Sequence, residues 1–136
     1  MKSVDIAAWD RKEIYDLFSA CDHPFYSVSF ELDVTNLYAH THESGLSFYY
    51  SLCYLMTRAM EEVEAFRMRI RDGRIDIVDE LIPSCTDLVP GSDAFVIVTL
   101  PHGGDMAEFC RQAKEKAAGQ MYLFDREMEK LDTLVY

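Results

Sequence analysis

His40-Thr41-His42-Glu43 sets two imidazoles and a carboxylate within four residues, the donor types that hold zinc. Ligands on one helix must share a face, three or four residues apart, and His40 and His42 are two apart. No third ligand follows at a useful spacing, so two surface histidines near a helix end are the simpler reading. His102-Gly103-Gly104-Asp105 places paired glycines ahead of a helix, where backbone N–H groups can meet a phosphate. It lacks the G-x-x-x-x-G-K-[ST] pattern, and a strand-to-helix turn capped by Asp105 accounts for it. No serine sits in a G-x-S-x-G elbow, and no cysteine has an adjacent histidine. Cys21, Cys53, Cys85 and Cys110 lie 25 to 32 residues apart without a C-x-x-C, which argues against a zinc ribbon and a redox dithiol. Cys53 and Cys110 fall on apolar helix faces, where cysteine is a small buried hydrophobe. The acid pair Glu61-Glu62 reads as a solvated face. Phe25-Tyr26 and Phe48-Tyr49-Tyr50 read as core, or as an aromatic wall for an apolar ligand. The residues by themselves give no complete catalytic set.

Positioning any such groups falls to a chain of 136 residues, 49% hydrophobic and 27% charged, the composition of one folded domain spanning 1–136. A net charge of −11 repels phosphate backbones and anionic lipid, so neither nucleic acid nor a membrane surface is an expected partner. No apolar run approaches the roughly 18 residues of a membrane span, and MKSVDIAAWDRKE has no signal-peptide core. Reduced thiols in a cytoplasm are expected.

Asp10 to Ser19 reads as a first helix, with Ile14, Leu17 and Phe18 at helical spacing. Pro24 closes the break at Cys21-Asp22-His23. From Phe25 to Asp33 apolar Tyr26, Val28, Phe30 and Leu32 alternate with polar residues, the pattern of a half-buried strand. A short helix from Thr35 to about His42 ends at Gly45. Ser47 to Val63 carries two adjoining apolar stripes, Phe48-Leu52-Leu55-Ala59-Val63 and Tyr49-Cys53-Met56-Met60, so it should be buried against a sheet. Arg67–Arg71 and Arg74–Asp79 alternate around Asp72-Gly73, predicting a hairpin. Ser84 to Val89 predicts another strand, with a turn at Pro90-Gly91-Ser92. Phe95 to Leu100, β-branched and stopped by Pro101, predicts a central strand. Helices are expected over Asp105 to Gly119 and from about Gln120 to Lys130. Leu134-Val135-Tyr136 opens a strand. The class is α/β, an α+β two-layer sandwich with a mixed sheet and packed helices.

Trp9-Asp10-Arg11-Lys12-Glu13, Phe30-Glu31-Leu32-Asp33-Val34-Thr35 and Phe66-Arg67-Met68-Arg69-Ile70 resemble segments of chloramphenicol acetyltransferase. The likeness continues in the family's order through Asp72-Gly73, Pro83-Ser84 and Phe95-Val96-Ile97-Val98. The resemblance implies helices packed on a mixed sheet, and a homo-oligomer, the family's trimer, with active sites at subunit interfaces. It implies transfer of an acetyl group from acetyl-CoA, as co-substrate, to a hydroxyl of chloramphenicol or a similar small-molecule acceptor, with no metal. In the family, a histidine in H-x-x-x-D-G is the general base and a serine hydroxyl stabilises the tetrahedral oxyanion.

The 136 residues contain no H-x-x-x-D-G, and none of His23, His40, His42 and His102 matches its position. The likeness is to about the N-terminal two-thirds of the family, so this chain alone is expected to be a truncated, inactive domain. The alternative is a non-catalytic fragment, or a subunit completed by a partner, that keeps part of a small-molecule pocket. In the family the arginine of W-x-R pairs with the aspartate of H-x-x-x-D-G, and Arg11 takes that place. The resemblance assigns Leu17, Phe18, Pro24, Phe25 and Phe95 to the acceptor pocket, with ordinary core packing as the competing reading of each.

Overall fold

A computed structural model describes residues 2–136. The Asp72-Gly73 hairpin forms as expected. Both residues take positive φ, 50° and 74°, which matches the twist of the flanking strands. These strands are β2 (Met68–Arg71) and β3 (Arg74–Ile77), in register from Arg71 opposite Arg74 to Met68 opposite Ile77. A short strand, β1 (Lys2–Val4), pairs antiparallel with the far side of β3, giving the order β1-β3-β2.

The second sheet is mixed. Strand β4 (Ile82–Leu88) pairs antiparallel with β5 (Phe95–Thr99) and parallel with β6 (Leu134–Val135). Strand β5 is therefore not central; its outer side carries only one bridge, Ile97 to Phe124.

Four α-helices accompany the sheets among the described residues: α1 (Lys12–Ser19), α2 (Thr35–Ser44), α3 (Phe48–Glu61) and α4 (Met106–Gly119). Ser47 Oγ accepts the Tyr50 N–H, and Asp105 Oδ1 accepts the Glu108 N–H at 2.9 Å, so both long helices start on side-chain caps. Gly45, at φ 67°, ends α2 in the left-handed conformation that glycine adopts without a Cβ clash. No helix is long and apolar enough to cross a membrane among the described residues.

The core forms where α3 and α4 meet β4 and β5: Tyr50, Val96, Val98, Phe109, Cys110 and Ala113 are buried together. Ile75, Ile77, Val78, Leu81 and Ile82 extend the buried apolar set towards the hairpin. Each large side chain buried this way stabilises the fold by ~1.5–3 kcal/mol.

Besides the central position expected of β5, three sequence expectations fail here. Residues 25–33 form no strand: among the described residues none pairs with them in a ladder, and Phe25, Tyr26, Val28, Phe30 and Leu32 are all exposed. Alternation fits a chain to a sheet face, but a strand exists only when a neighbour takes its N–H and C=O groups. The stretch from Gln120 to Lys130 is irregular apart from a 3-10 turn at Met128–Lys130. Gln120 Nε2 donates to the Ile97 carbonyl on β5 and to the Tyr122 and Leu123 carbonyls of its own segment, so side-chain bonds to the sheet edge and a local loop replace a helical ladder. On α3, the fully buried residues are Tyr50, Ser51 and Thr57, whereas Tyr49, Leu55 and Met56, and Val63 just past its end, are exposed. Hydroxyl groups can turn inward because each is bonded: Ser51 Oγ lies 3.3 Å from Cys110 Sγ, and Thr57 Oγ1 donates to the Cys53 carbonyl at 2.8 Å.

Candidate functional site

The N-terminal arm carries most of the residues that the family resemblance assigns to a site. The Trp9 and Tyr15 rings meet at 6.2 Å, tilted by 57°, across the start of α1, where Arg11 occupies the N-cap without a side-chain capping bond. Arg11, Phe18 and Pro24 line one concavity of about 310 Å³ with Trp9, Tyr15 and Ile70, the last from β2. An open arginine above an aromatic and aliphatic wall is a chemistry suited to an apolar ligand with a polar or anionic end.

The other candidates stand apart from this concavity. Leu17 is exposed on α1, and Phe25 is 79% exposed, its ring edge-on to His23 at 5.8 Å. Phe95 starts β5 and lines a separate shallow recess with Tyr49, Asp87 and Leu88. The structure thus gathers Arg11, Phe18 and Pro24 and leaves Leu17, Phe25 and Phe95 dispersed. A larger concavity, about 770 Å³, is elsewhere again, between α4 and the irregular residues 120–127.

Each histidine has a definite setting. His40 and His42 are exposed on α2, with the His42 ring stacked on Tyr38 at 6.3 Å. No group of three or more His, Cys, Asp or Glu side chains could hold a metal ion among the described residues. His102 is 6% exposed, and its Nε2 lies 2.7 Å from Glu61 Oε1. The same carboxylate oxygen accepts the Leu81 N–H at 2.9 Å. Glu61 is therefore a half-buried anchor and not part of a solvated face. Burial opposes its charge, but the Leu81 N–H, His102 and Arg58 outweigh burial and hold its carboxyl below the ordinary value.

Tyr54 completes this cluster, its ring T-shaped to His102 at 6.1 Å and its hydroxyl donating to the Gly104 carbonyl at 3.1 Å. Tyr50, Tyr54, Thr57 and Glu61 recur at helical spacing along α3. That polar and aromatic stripe was the available sign that Glu61 faces inward, and the stronger apolar stripes beside it concealed it. Deeper on the same face, Tyr50 donates its hydroxyl to Asp87 Oδ2 at 2.5 Å. Burial and the neighbouring carboxylate push the Tyr50 hydroxyl pKa far up, so it stays protonated and donating.

The family model of chloramphenicol acetyltransferase matches residues 1–128. A chloramphenicol acetyltransferase of Vibrio anguillarum is 31% identical over 110 residues, covering 80% of this chain and 49% of that protein. Chloramphenicol acetyltransferase 2 of Escherichia coli is 27% identical over 106 residues, 78% of this chain and 50% of that protein. A solved chloramphenicol acetyltransferase structure superposes with a TM-score of 0.77 at 24% identity, over 88% of this chain and 57% of the other. The chain spans about half the length of the curated relatives it matches, less than the two-thirds expected from the motifs.

Proposed function

The chain belongs to the chloramphenicol acetyltransferase family, and from that premise we propose that these 136 residues hold an acceptor-side pocket and framework for acetyl transfer without the base that drives it. The reaction is attack of an acceptor hydroxyl, on chloramphenicol or a similar molecule, at the thioester carbonyl of acetyl-CoA. The hydroxyl proton must leave as the C–O bond forms, and the CoA thiolate must depart. Removing that proton is general-base work typically worth ~10²–10⁴ in rate.

One observation carries the reading: the buried histidine, His102, is spent on Glu61 and Tyr54 in the core, away from the Arg11 concavity. Its nitrogen fixes a loop instead of meeting an acceptor. The base and the oxyanion donor would come from residues outside these 136, in the same polypeptide or in another subunit.

Residues 25–33 support association: among the described residues no strand pairs with them, and their exposed Phe25, Tyr26, Val28, Phe30 and Leu32 gain from a partner laid over them. A homo-oligomer, trimeric as in the family and working in the cytoplasm, fits that need. Arg11, Phe18 and Pro24 would then meet Leu17, Phe25 and Phe95, or their copies, around one acceptor.

Trp9, the single tryptophan, lines the Arg11 concavity and reports on it. Titrating chloramphenicol should change Trp9 emission saturably, and Phe18→Ala should weaken that response about tenfold or more while leaving the far-UV spectrum unchanged. An emission change of equal affinity in Phe18→Ala would remove this concavity from the acceptor site.

A further inference from the structure

A cavity of about 430 Å³ separates α3 from the face of the mixed sheet, and it contains two of the four thiols. Cys53 enters from α3 and Cys85 from the middle of β4, both free and half-buried. Tyr49, one turn before Cys53 on α3, lines the same cavity as both thiols. Cys85 Sγ also reaches the Val98 carbonyl at 3.7 Å. The remaining wall is largely aliphatic, with Met56, Met60 and Val135.

The other two cysteines cannot compete within one molecule. Cys110 is 2% exposed and held against Ser51, and Cys21 is exposed near the end of α1. The absence of a C-x-x-C had argued against a redox dithiol, but a helix and a strand bring together thiols 32 residues apart in sequence.

We propose that Cys53 and Cys85 are a redox-convertible dithiol, which a hydroperoxide closes to a disulfide that pins α3 to β4. The Cys53 thiolate attacks the peroxide, the O–O bond breaks, and the departing oxygen takes up a proton to leave as water or an alcohol. Cys53 is then a sulfenic acid. The Cys85 sulfur attacks Cys53 Sγ, the S–O bond breaks, and the hydroxide leaves as water with the Cys85 proton. Two thiols lose two electrons and two protons to one hydroperoxide, so the step balances. Hydrogen bonds from Cys85 and Tyr49 lower the Cys53 thiol pKa against the effect of burial. The bond to Cys53 and burial raise the Cys85 thiol, which keeps its proton until the second step. The bridge would close a loop of 32 residues, restricting the unfolded chain.

The test treats the full chain with an equivalent of hydrogen peroxide, alkylates the free thiols under denaturing conditions and maps the peptides by mass. The proposal expects two of the four thiols to disappear with the loss of two hydrogens, and a peptide linking Cys53 to Cys85 that dithiothreitol opens. Cys21→Ser should leave this result intact, and the oxidised chain should melt at a higher temperature than the reduced one. As an independent probe, phenylarsine oxide, which requires two neighbouring thiols, should bind the reduced chain at one equivalent and fail to bind Cys85→Ser. Alkylated, unlinked Cys53 and Cys85 peptides after oxidation, with Cys21 alone modified, would overturn the proposal. That mapping uses the unaltered chain and does not depend on any variant folding.

Discussion

The packed face formed by α3, α4, β4 and β5 and the arm from Trp9 to Val34 use the same kinds of residue in opposite ways. On the packed face, polar groups turn inward and are satisfied: Ser51 against Cys110, Ser84 against Thr99 at 2.8 Å, Glu61 against His102 and the Leu81 N–H. On the arm, apolar groups turn outward: Phe25 is 79% exposed, whereas Phe109 is 1% exposed. Burial is decided by the available partners, so an apolar residue without a facing element stays in solvent and a bonded hydroxyl enters the core.

The sharpest way to break that contrast is truncation on each side of it. Phe109→Ala should destabilise the chain by about 3–5 kcal/mol in urea unfolding, because it opens a cavity among Tyr50, Val98 and Ala113. Phe25→Ala should shift the same curve by no more than about 0.5 kcal/mol. Equal costs would mean that the arm is packed after all.

Next in size is the buried polar anchor. Glu61→Ala leaves the Leu81 N–H and His102 without their acceptor, and should cost roughly 1.5–3 kcal/mol in thermal or urea unfolding. The same carboxylate gives a pH dependence with a definite sign. Its folded pKa is depressed, so its contribution is complete above the unfolded value near ~4.3 and is lost as pH falls through the folded one. Unfolding curves of the parent and Glu61→Gln should therefore converge as the pH is lowered below that range. A difference that grows on acidification would contradict the assignment. The smallest effect belongs to a cap: Asp105→Ala should cost about 1 kcal/mol, with fraying at the start of α4 seen in amide exchange.

The sequence made the local devices legible. Asp72-Gly73 specified its hairpin, Ser47 and Asp105 their helix starts, and Gly45 a helix end, because each acts through its own few residues. What depended on partners was misread. The alternation of Tyr26, Val28, Phe30 and Leu32 has the form of a strand, but among the described residues no neighbouring strand pairs with it. Residues 120–130 have helical composition, yet Gln120 is claimed by the edge of β5. Glu61 looked like surface charge because its partners, His102 and the Leu81 N–H, are distant in sequence. For the candidate site, the family resemblance pointed to Arg11 as an ion-pair partner and to Phe18 and Pro24 as pocket residues, and the three line one concavity. They could not show how Leu17, Phe25 and Phe95 would join it, since no element of the described residues carries those side chains there.

The most direct test of the account is thiol release from acetyl-CoA in the presence of chloramphenicol, catalysed by this chain alone and by the chain joined to a family segment containing H-x-x-x-D-G. The account predicts no release above background from the chain alone and chloramphenicol-dependent release from the joined form. Chloramphenicol-dependent release by the chain alone, abolished in His23→Gln or His102→Gln, would contradict it.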